Sequence, residues 1–335
     1  MKIQAWAAHE QAATLSPYGY EIGELGDHEC IVKVLTCGIC YSDVHMIDND
    51  WQCSSYPLVP GHEVVGEVVE VGRAVPKSRV GQRVGIGWQA SACLTCSLCL
   101  SGVDNLCSEK KALIVAGKGA FADHVLVDSR FAFPLPEGLD TKTTGPLLCG
   151  GTTVYSALHY AGMTSGQDVG IIGVGGLGHL AVQFASKLGN RVTVFTTSDD
   201  KAAFADRLGA HHPIVTTPGE PPPAPPRKLD VLLNTVPHQL DWAGYLEHVA
   251  VDGTFTFVAT PMESAPIPLG YMLDRRQRVM ASAIGSRAII TRMLSIADRF
   301  GIAPVTEQFP LDQVNEAITK LRANKVRYRA VLNVA

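Results

Sequence analysis

Cysteine and histidine are the residues of this chain best able to do chemistry, and their spacing sorts them into two sets. Cys93, Cys96, Cys99 and Cys107 stand together as C-x2-C-x2-C-x7-C. Four thiolates on one short loop close a tetrahedral shell around zinc and leave no position for a substrate. The second set is dispersed: Cys40 in Gly-Ile-Cys-Tyr-Ser-Asp, His62 in Gly-His-Glu and Cys149 in Leu-Leu-Cys-Gly-Gly. Two thiolates and an imidazole from distant segments leave one coordination position open, as a Lewis-acid centre requires. Cys37 and Cys40 form C-x2-C, and strand periodicity does not choose between them. Cys30 and Cys53 read as core or surface thiols. Two zinc ions per chain are the expectation.

A glycine-rich turn points to a second kind of chemistry. Gly173-Val-Gly175-Gly176-Leu177-Gly178 follows an apolar run expected to be a buried strand (168–172) and opens a helical pattern over 177–188. Small residues let the backbone approach a pyrophosphate, and a helix N-terminus stabilises its charge. This context predicts dinucleotide binding. An NAD site wants a carboxylate at the end of the next strand, for the ribose hydroxyl. Here the chain has Phe195-Thr196-Thr197-Ser198, with Lys201 four residues beyond Thr197. Hydroxyl donors and an ammonium suit a 2′-phosphate, so NADP(H) is expected. Asp199 and Asp200 are then left to cap or charge-complement the following helix.

The elements that must position these groups fall into two textures. Short β-branched runs at 29–36, 63–72, 81–87 and 121–127, cut by Gly and Pro, read as an all-β lobe of barrel type. From about residue 150, strands at 168–172, 191–196, 229–235 and 253–259 alternate with helices at 177–188 and 201–208, which predicts a parallel, doubly wound sheet. Helices at 288–299 and 311–323 and a strand at 330–334 are expected to return to the first lobe. Residues 218–226 hold six prolines and read as a solvated loop in place of a crossover helix; a proline motif for a partner is the rival reading.

At 335 residues the chain is long enough for two domains, and its 46% hydrophobic and 18% charged residues are those of a globular protein. A net charge of −4 gives no electrostatic case for nucleic acid or an anionic membrane, and no apolar run approaches a membrane span. The opening Met-Lys-Ile-Gln-Ala-Trp lacks the apolar region of a signal peptide. Clustered cysteines without such a signal point to thiolates on metal in a reducing cytoplasm.

Taken together, Gly-Ile-Cys40-Tyr-Ser42-Asp43-Val-His45, Pro60-Gly61-His62-Glu63-Val-Val-Gly66, the four-cysteine lobe, Pro146-Leu-Leu-Cys149-Gly-Gly-Thr-Thr153 and the glycine turn resemble the zinc-dependent medium-chain alcohol dehydrogenases. Within them the chain is similar to the cinnamyl-alcohol-dehydrogenase branch, and there to bacterial NADPH-dependent aldehyde reductases of broad range, as in Met46-Ile-Asp-Asn and Val80-Gly-Gln-Arg-Val-Gly-Ile-Gly-Trp88. The resemblance implies a GroES-like β-barrel catalytic domain (1–150 and 286–335, with a structural zinc lobe at 91–109) and a Rossmann NADP-binding domain (151–285). It places the catalytic zinc on Cys40, His62 and Cys149 rather than Cys37, with Glu63 behind it and Asp43 supporting His62. It makes Ser42 and His45 a proton relay, Thr153 and the backbone near Val258 nicotinamide contacts, and Arg329 a contact to the pyrophosphate. Aldehyde reduction to a primary alcohol, in a cytoplasmic homodimer, is the implied activity. Two rivals share parts of this pattern: a polyol or secondary-alcohol dehydrogenase, and a zinc-stapled NADPH-binding sensor that could dispense with the relay. Trp51 and Trp88 read either as an aromatic pocket wall or as ordinary packing.

Overall fold

The computed structural model describes residues 1–115, 118–259 and 264–334. They form two compact units, Met1–Cys149 with Gly285–Ala335, and Gly150–Ile284.

The first unit is built on the strand Glu29–Ile39, whose side chains are buried almost throughout. It pairs antiparallel with three others: Arg329–Asn333, Glu63–Val71 and His124–Asp128. The full seven-stranded sheet runs Thr306–Pro310, Arg329–Asn333, Glu29–Ile39, Glu63–Val71, Arg83–Ile86, Phe133–Pro134, with His124–Asp128 branching from the long strand. Register shifts at Ile31/Val32 and Val34/Thr36 bend that strand, as bulges do in barrels. Val32, Val34, Val64, Val68, Val84 and Ile86, all essentially without solvent exposure, form its core.

Register decides where the chemistry falls. Gly38 lies opposite Glu63, and Ile39 lies opposite Ala330. Cys40, His62 and Arg329 therefore arrive together at one end of the sheet. A 3-10 turn, Gly145–Leu148, delivers Cys149 to the same place. Gly38 is required there, because a Cβ would stand 2.0 Å from Glu63 Oε2.

The second unit holds six parallel strands in the order His212–Val215, Arg191–Thr196, Asp168–Ile172, Leu229–Asn234, Val249–Phe257, Arg278–Ala281. Numbered along the chain that order is 3-2-1-4-5-6, the doubly wound arrangement in which ligands bind beyond the strand ends where the order reverses. The glycine turn follows Asp168–Ile172, which is the strand at that reversal. Residues 216–228 carry no helix. Pro222 is buried and its carbonyl accepts from His248 Nε2 at 3.0 Å, so the proline loop is anchored to its own sheet.

Candidate active site and zinc centres

The helix Tyr41–Asp48 starts at Cys40, which adopts the extended backbone of an N-cap residue. Asp43, on its first turn, is completely buried and organises three backbone and side-chain donors. Its Oδ2 accepts from the Cys40 amide at 2.8 Å. Its Oδ1 accepts from the Gly61 amide at 2.8 Å and faces His62 Nδ1 at 2.9 Å. The proton on Nδ1 leaves the Nε2 lone pair of His62 pointing away from Asp43, toward the two thiols.

His62 Nε2 is 3.3 Å from Cys149 Sγ, and Cys149 Sγ is 3.8 Å from Cys40 Sγ. Zn–S bonds of about 2.3 Å and Zn–N bonds of about 2.0–2.1 Å in a tetrahedron give edges of about 3.8 and 3.6 Å, so the donor set fits this metal. Hydrogen bonding to Cys149 holds the Cys40 thiol well below its ordinary range against burial, and the same bond together with burial pushes Cys149 well above. Cys37 behaves differently. Its buried thiol donates to the Gly38 carbonyl at 3.5 Å, and burial pushes its pKa well above normal.

Glu63 also has a carboxylate oxygen within 4.8 Å of these donors. Burial raises its pKa to about 7 although Arg329, its ion-pair partner, works to lower it. Glu63 Oε2 and Arg329 Nε have no hydrogen-bond partner among the described residues. Arg329 is thus a buried residue of the first unit committed to Glu63, a pairing the sequence does not advertise.

Ser42 and His45 sit three residues apart on the same helix, with Ser42 Oγ 3.6 Å from Cys40 Sγ. His45 Nδ1 lies 2.6 Å from Asp50 Oδ2, another partner that sequence reading passed over. Trp88 stands edge-on to His62 with ring centroids 5.0 Å apart, and Trp51 bridges Trp88 (5.9 Å) and His45 (5.1 Å).

The four-cysteine loop closes on itself. Its sulfurs lie 3.8 Å (Cys93–Cys99), 3.9 Å (Cys96–Cys107) and 3.5 Å (Cys93–Cys107) apart, again near the zinc–thiolate edge. Backbone amides of Cys96 and Glu109 point at Cys93 and Cys107 sulfurs, both at 3.4 Å, as they would at thiolates. Backbone amides of Thr95 and Cys96 lower the Cys93 pKa to about 6.

In the second unit Gly173 has φ +90°, and a Cβ on Gly178 would stand 1.9 Å from the Gly173 carbonyl. Above Gly175 nothing lies within 4 Å, so the backbone there is open to a ligand. This is the cradle a pyrophosphate needs at the N-terminus of the helix Gly178–Lys187, which starts after Gly176 and its N-cap Leu177. His179 Nδ1 is 3.0 Å from the Gly175 carbonyl and ties the turn to the helix. At the next strand end Thr196 is buried, Thr197 is exposed, and Lys201 lies on the first turn of the helix Asp199–Arg207. Ser198 is that helix's cap, leaving Asp199 and Asp200 exposed in its first turn. Thr153 lies half-buried on the helix Gly150–Tyr160, and the Val258 amide donates to the Asn234 carbonyl at 3.1 Å.

Comparison with known proteins agrees with this architecture. Residues 26–137 match the alcohol dehydrogenase GroES-like domain, and residues 176–299 match the zinc-binding dehydrogenase domain. An aldehyde reductase of Synechocystis is 44% identical over 331 residues, covering 99% of this chain and 98% of that protein. The solved structure of a cinnamyl alcohol dehydrogenase from Sorghum bicolor superposes with a TM-score of 0.90 at 35% identity, covering 99% of this chain and 98% of that one. One from Helicobacter pylori complexed with NADP(H) gives 0.89 at 26%, with the same coverage of 99% and 98%. With a GroES-like unit, a Rossmann unit and relatives matched from end to end, the chain belongs to the zinc-dependent medium-chain alcohol dehydrogenases, in their cinnamyl-alcohol-dehydrogenase and aldehyde-reductase branch.

Proposed function

We propose that this protein reduces aldehydes to primary alcohols, reversibly, with NADPH and zinc. The observation that carries the reading is the convergence of Cys40, His62 and Cys149 beside a Ser42–His45 pair on one helix. The relatives named aldehyde reductase and cinnamyl alcohol dehydrogenase, and the neighbour complexed with NADP(H), support it.

When bound, zinc supplies a Lewis acid for the carbonyl oxygen and NADPH supplies the hydride for the carbonyl carbon. The residues do the rest. Cys40, Cys149 and His62 hold the metal, and Asp43 keeps His62 in the tautomer that ligates. Ser42 hydrogen-bonds the substrate oxygen and gives it the proton that completes the alcohol. His45 replaces that proton, steadied by Asp50. Trp51 and Trp88 wall the substrate side. Cys93, Cys96, Cys99 and Cys107 hold the second zinc, whose closed shell serves folding.

For the coenzyme, the turn Gly173–Gly178 takes the pyrophosphate, Thr196, Thr197 and Lys201 take the 2′-phosphate, and Thr153 with the Val258 backbone takes the nicotinamide. The family resemblance also assigns Arg329 to the pyrophosphate; in the first unit its guanidinium is buried and pairs with Glu63. The unit Met1–Cys149 with Gly285–Ala335 is then the catalytic domain and Gly150–Ile284 the coenzyme domain. A cytoplasmic homodimer is part of the proposal: the six-stranded sheet ends in an edge strand, Arg278–Ala281, with exposed Leu269, Leu273 and Val251 in the same unit.

A matrix of aldehydes and alcohols against NADPH and NADH tests the reading. Zinc-dependent, aldehyde-dependent oxidation of NADPH is expected. Turnover confined to secondary alcohols or polyols, or coenzyme binding without turnover, would overturn it in favour of one of the two rivals.

A further inference from the structure

His45 is partly exposed on the helix Tyr41–Asp48, yet three neighbours hold its ring. Asp50 Oδ2 is 2.6 Å from Nδ1. Tyr41, four residues earlier on the same helix, meets the imidazole edge-on, with ring centroids 5.0 Å apart and planes at 66°. Trp51 lies against it from the following loop, at 5.1 Å and 34°. That loop is built to return. Asn49 ends the helix in the left-handed region with φ 57°, and Gln52 is left-handed again with φ 54°. The Asp50 amide donates to the His45 carbonyl at 3.0 Å, and the Ser54 amide to Asn49 Oδ1 at 3.0 Å. Ser54 Oγ donates to the Met46 carbonyl at 2.6 Å and Tyr56 Oη to the Ile47 carbonyl at 2.8 Å, which fastens the loop to the helix end. Asp50 and Trp51 are thereby folded back onto His45 together.

Core packing does not account for these two rings. Trp88, the neighbour of Trp51 on its other side, packs on the apolar core of the unit. Tyr41 and Trp51 instead leave 48% and 45% of their surface exposed, and both pack on His45. An imidazole tied only at Nδ1 can still swing about that hydrogen bond, because its last torsion is broad. Two aromatic rings packed against it restrict the swing. We propose that Tyr41 and Trp51 are positioning residues, which bracket the His45 ring and hold its Nε2 where the proton of the relay is exchanged. The inference rests on the relay of Ser42 and His45 described above and adds to it the two residues that keep the imidazole in line. Trp51 then serves the proton as well as the substrate wall.

The test runs in the oxidation direction, where a primary alcohol gives its hydroxyl proton to the relay and its hydride to NADP+. Zinc-loaded protein, with zinc content measured for every variant, is mixed with cinnamyl alcohol and limiting NADP+, and the single-turnover rate of NADPH formation is read. His45→Ala lowers that rate on the order of 100-fold. Tyr41→Ala and Trp51→Ala each lower it at least about fivefold, while Tyr41→Phe and Trp51→Phe, which keep a ring against His45, stay within about twofold of wild type. In both alanine variants the solvent deuterium isotope effect rises. Added HEPES, at fixed pH and ionic strength, restores part of their rate, as it does for His45→Ala and not for wild type. A wild-type rate in Tyr41→Ala or Trp51→Ala, beside a slow and HEPES-rescued His45→Ala, overturns the bracket and leaves the relay standing. A wild-type rate in His45→Ala overturns the relay and the bracket with it. Slow alanine variants with no rescue and an unchanged isotope effect show a structural role only and also overturn the proposal.

Discussion

Replacing Asp43 by Asn tests the arrangement behind the proposed catalytic zinc, because the consequences can be worked from three distances. In the native site every contact to Asp43 comes from a donor: the Cys40 amide at 2.8 Å, the Gly61 amide at 2.8 Å and His62 Nδ1 at 2.9 Å. Asparagine has one oxygen and one NH2, so one half of it must oppose a donor. If the NH2 takes the Oδ2 position it faces the Cys40 amide, and the backbone of a ligand loses its anchor. If it takes the Oδ1 position it faces Gly61 and His62. The imidazole can then accept only by moving its proton to Nε2, which removes the lone pair meant for the metal.

Either orientation weakens the site, and loss of such a supporting partner costs about 10- to 100-fold in metal affinity or activity. That is about 1.4–2.7 kcal/mol. The assay is zinc per chain after dialysis against a graded chelator, alongside kcat/KM for an aldehyde. The Asp43→Asn protein should release one zinc at a lower chelator concentration and retain the one on the four-cysteine loop. Zinc affinity within about threefold of wild type would refute the claim that Asp43 sets the His62 tautomer.

Other residues give equally direct expectations. Cys40→Ser should lose one zinc and nearly all activity, while Cys37→Ser should keep both metals; a dead, zinc-poor Cys37→Ser enzyme would reverse the ligand assignment. Cys99→Ser should lower thermal stability and soluble yield, and a fully stable variant with two zincs would contradict a folding role for the loop. Lys201→Ala should raise KM for NADPH severalfold with little effect on NADH, and Thr197→Asp should move preference toward NADH; steady-state kinetics with both coenzymes decides it. Arg329→Met leaves Glu63 buried without its partner and should cost about 3–5 kcal/mol in denaturant unfolding. The double variant Glu63→Leu/Arg329→Met should recover much of that loss, and an additive double variant would show that the pair is not coupled.

The fold class was legible because two periodicities differ. Short Val-rich runs cut by Gly and Pro read as strands of an all-β lobe, and Asp168–Ile172 followed by glycines reads as a buried strand ending at a ligand turn. What stayed hidden depended on tertiary context. The helix Gly150–Tyr160 begins Gly-Gly-Thr-Thr, a poor helical start by propensity, yet most of its residues are buried and packing overrides the local preference. Tyr41–Asp48 is hard to read as a helix for a related reason: the polar residues of the candidate site motif, Ser42, Asp43 and His45, interrupt its apolar stripe. Arg278–Ala281, four residues at a sheet edge, is too short to show any period.

The site was legible in its residue types and illegible in its charge pairing. Spacing could not separate Cys37 from Cys40. The structure separates them by geometry, since Cys37 lies within the strand Glu29–Ile39 and Cys40 lies one residue past its end, where the chain turns into a helix. The Glu63–Arg329 pair spans 266 positions and follows only from antiparallel register, with Ile39 opposite Ala330 and Gly38 opposite Glu63. With zinc bound as proposed, the thiolates of Cys40 and Cys149 would offset the dication; the guanidinium of Arg329 offsets Glu63, and the charge of Asp43 is spread over three N–H donors. Each buried charge therefore has its own counterpart within the first unit. On that account the centre can meet a neutral aldehyde without carrying a large field of either sign, and a change to any one partner should appear first as weaker zinc binding or lower stability.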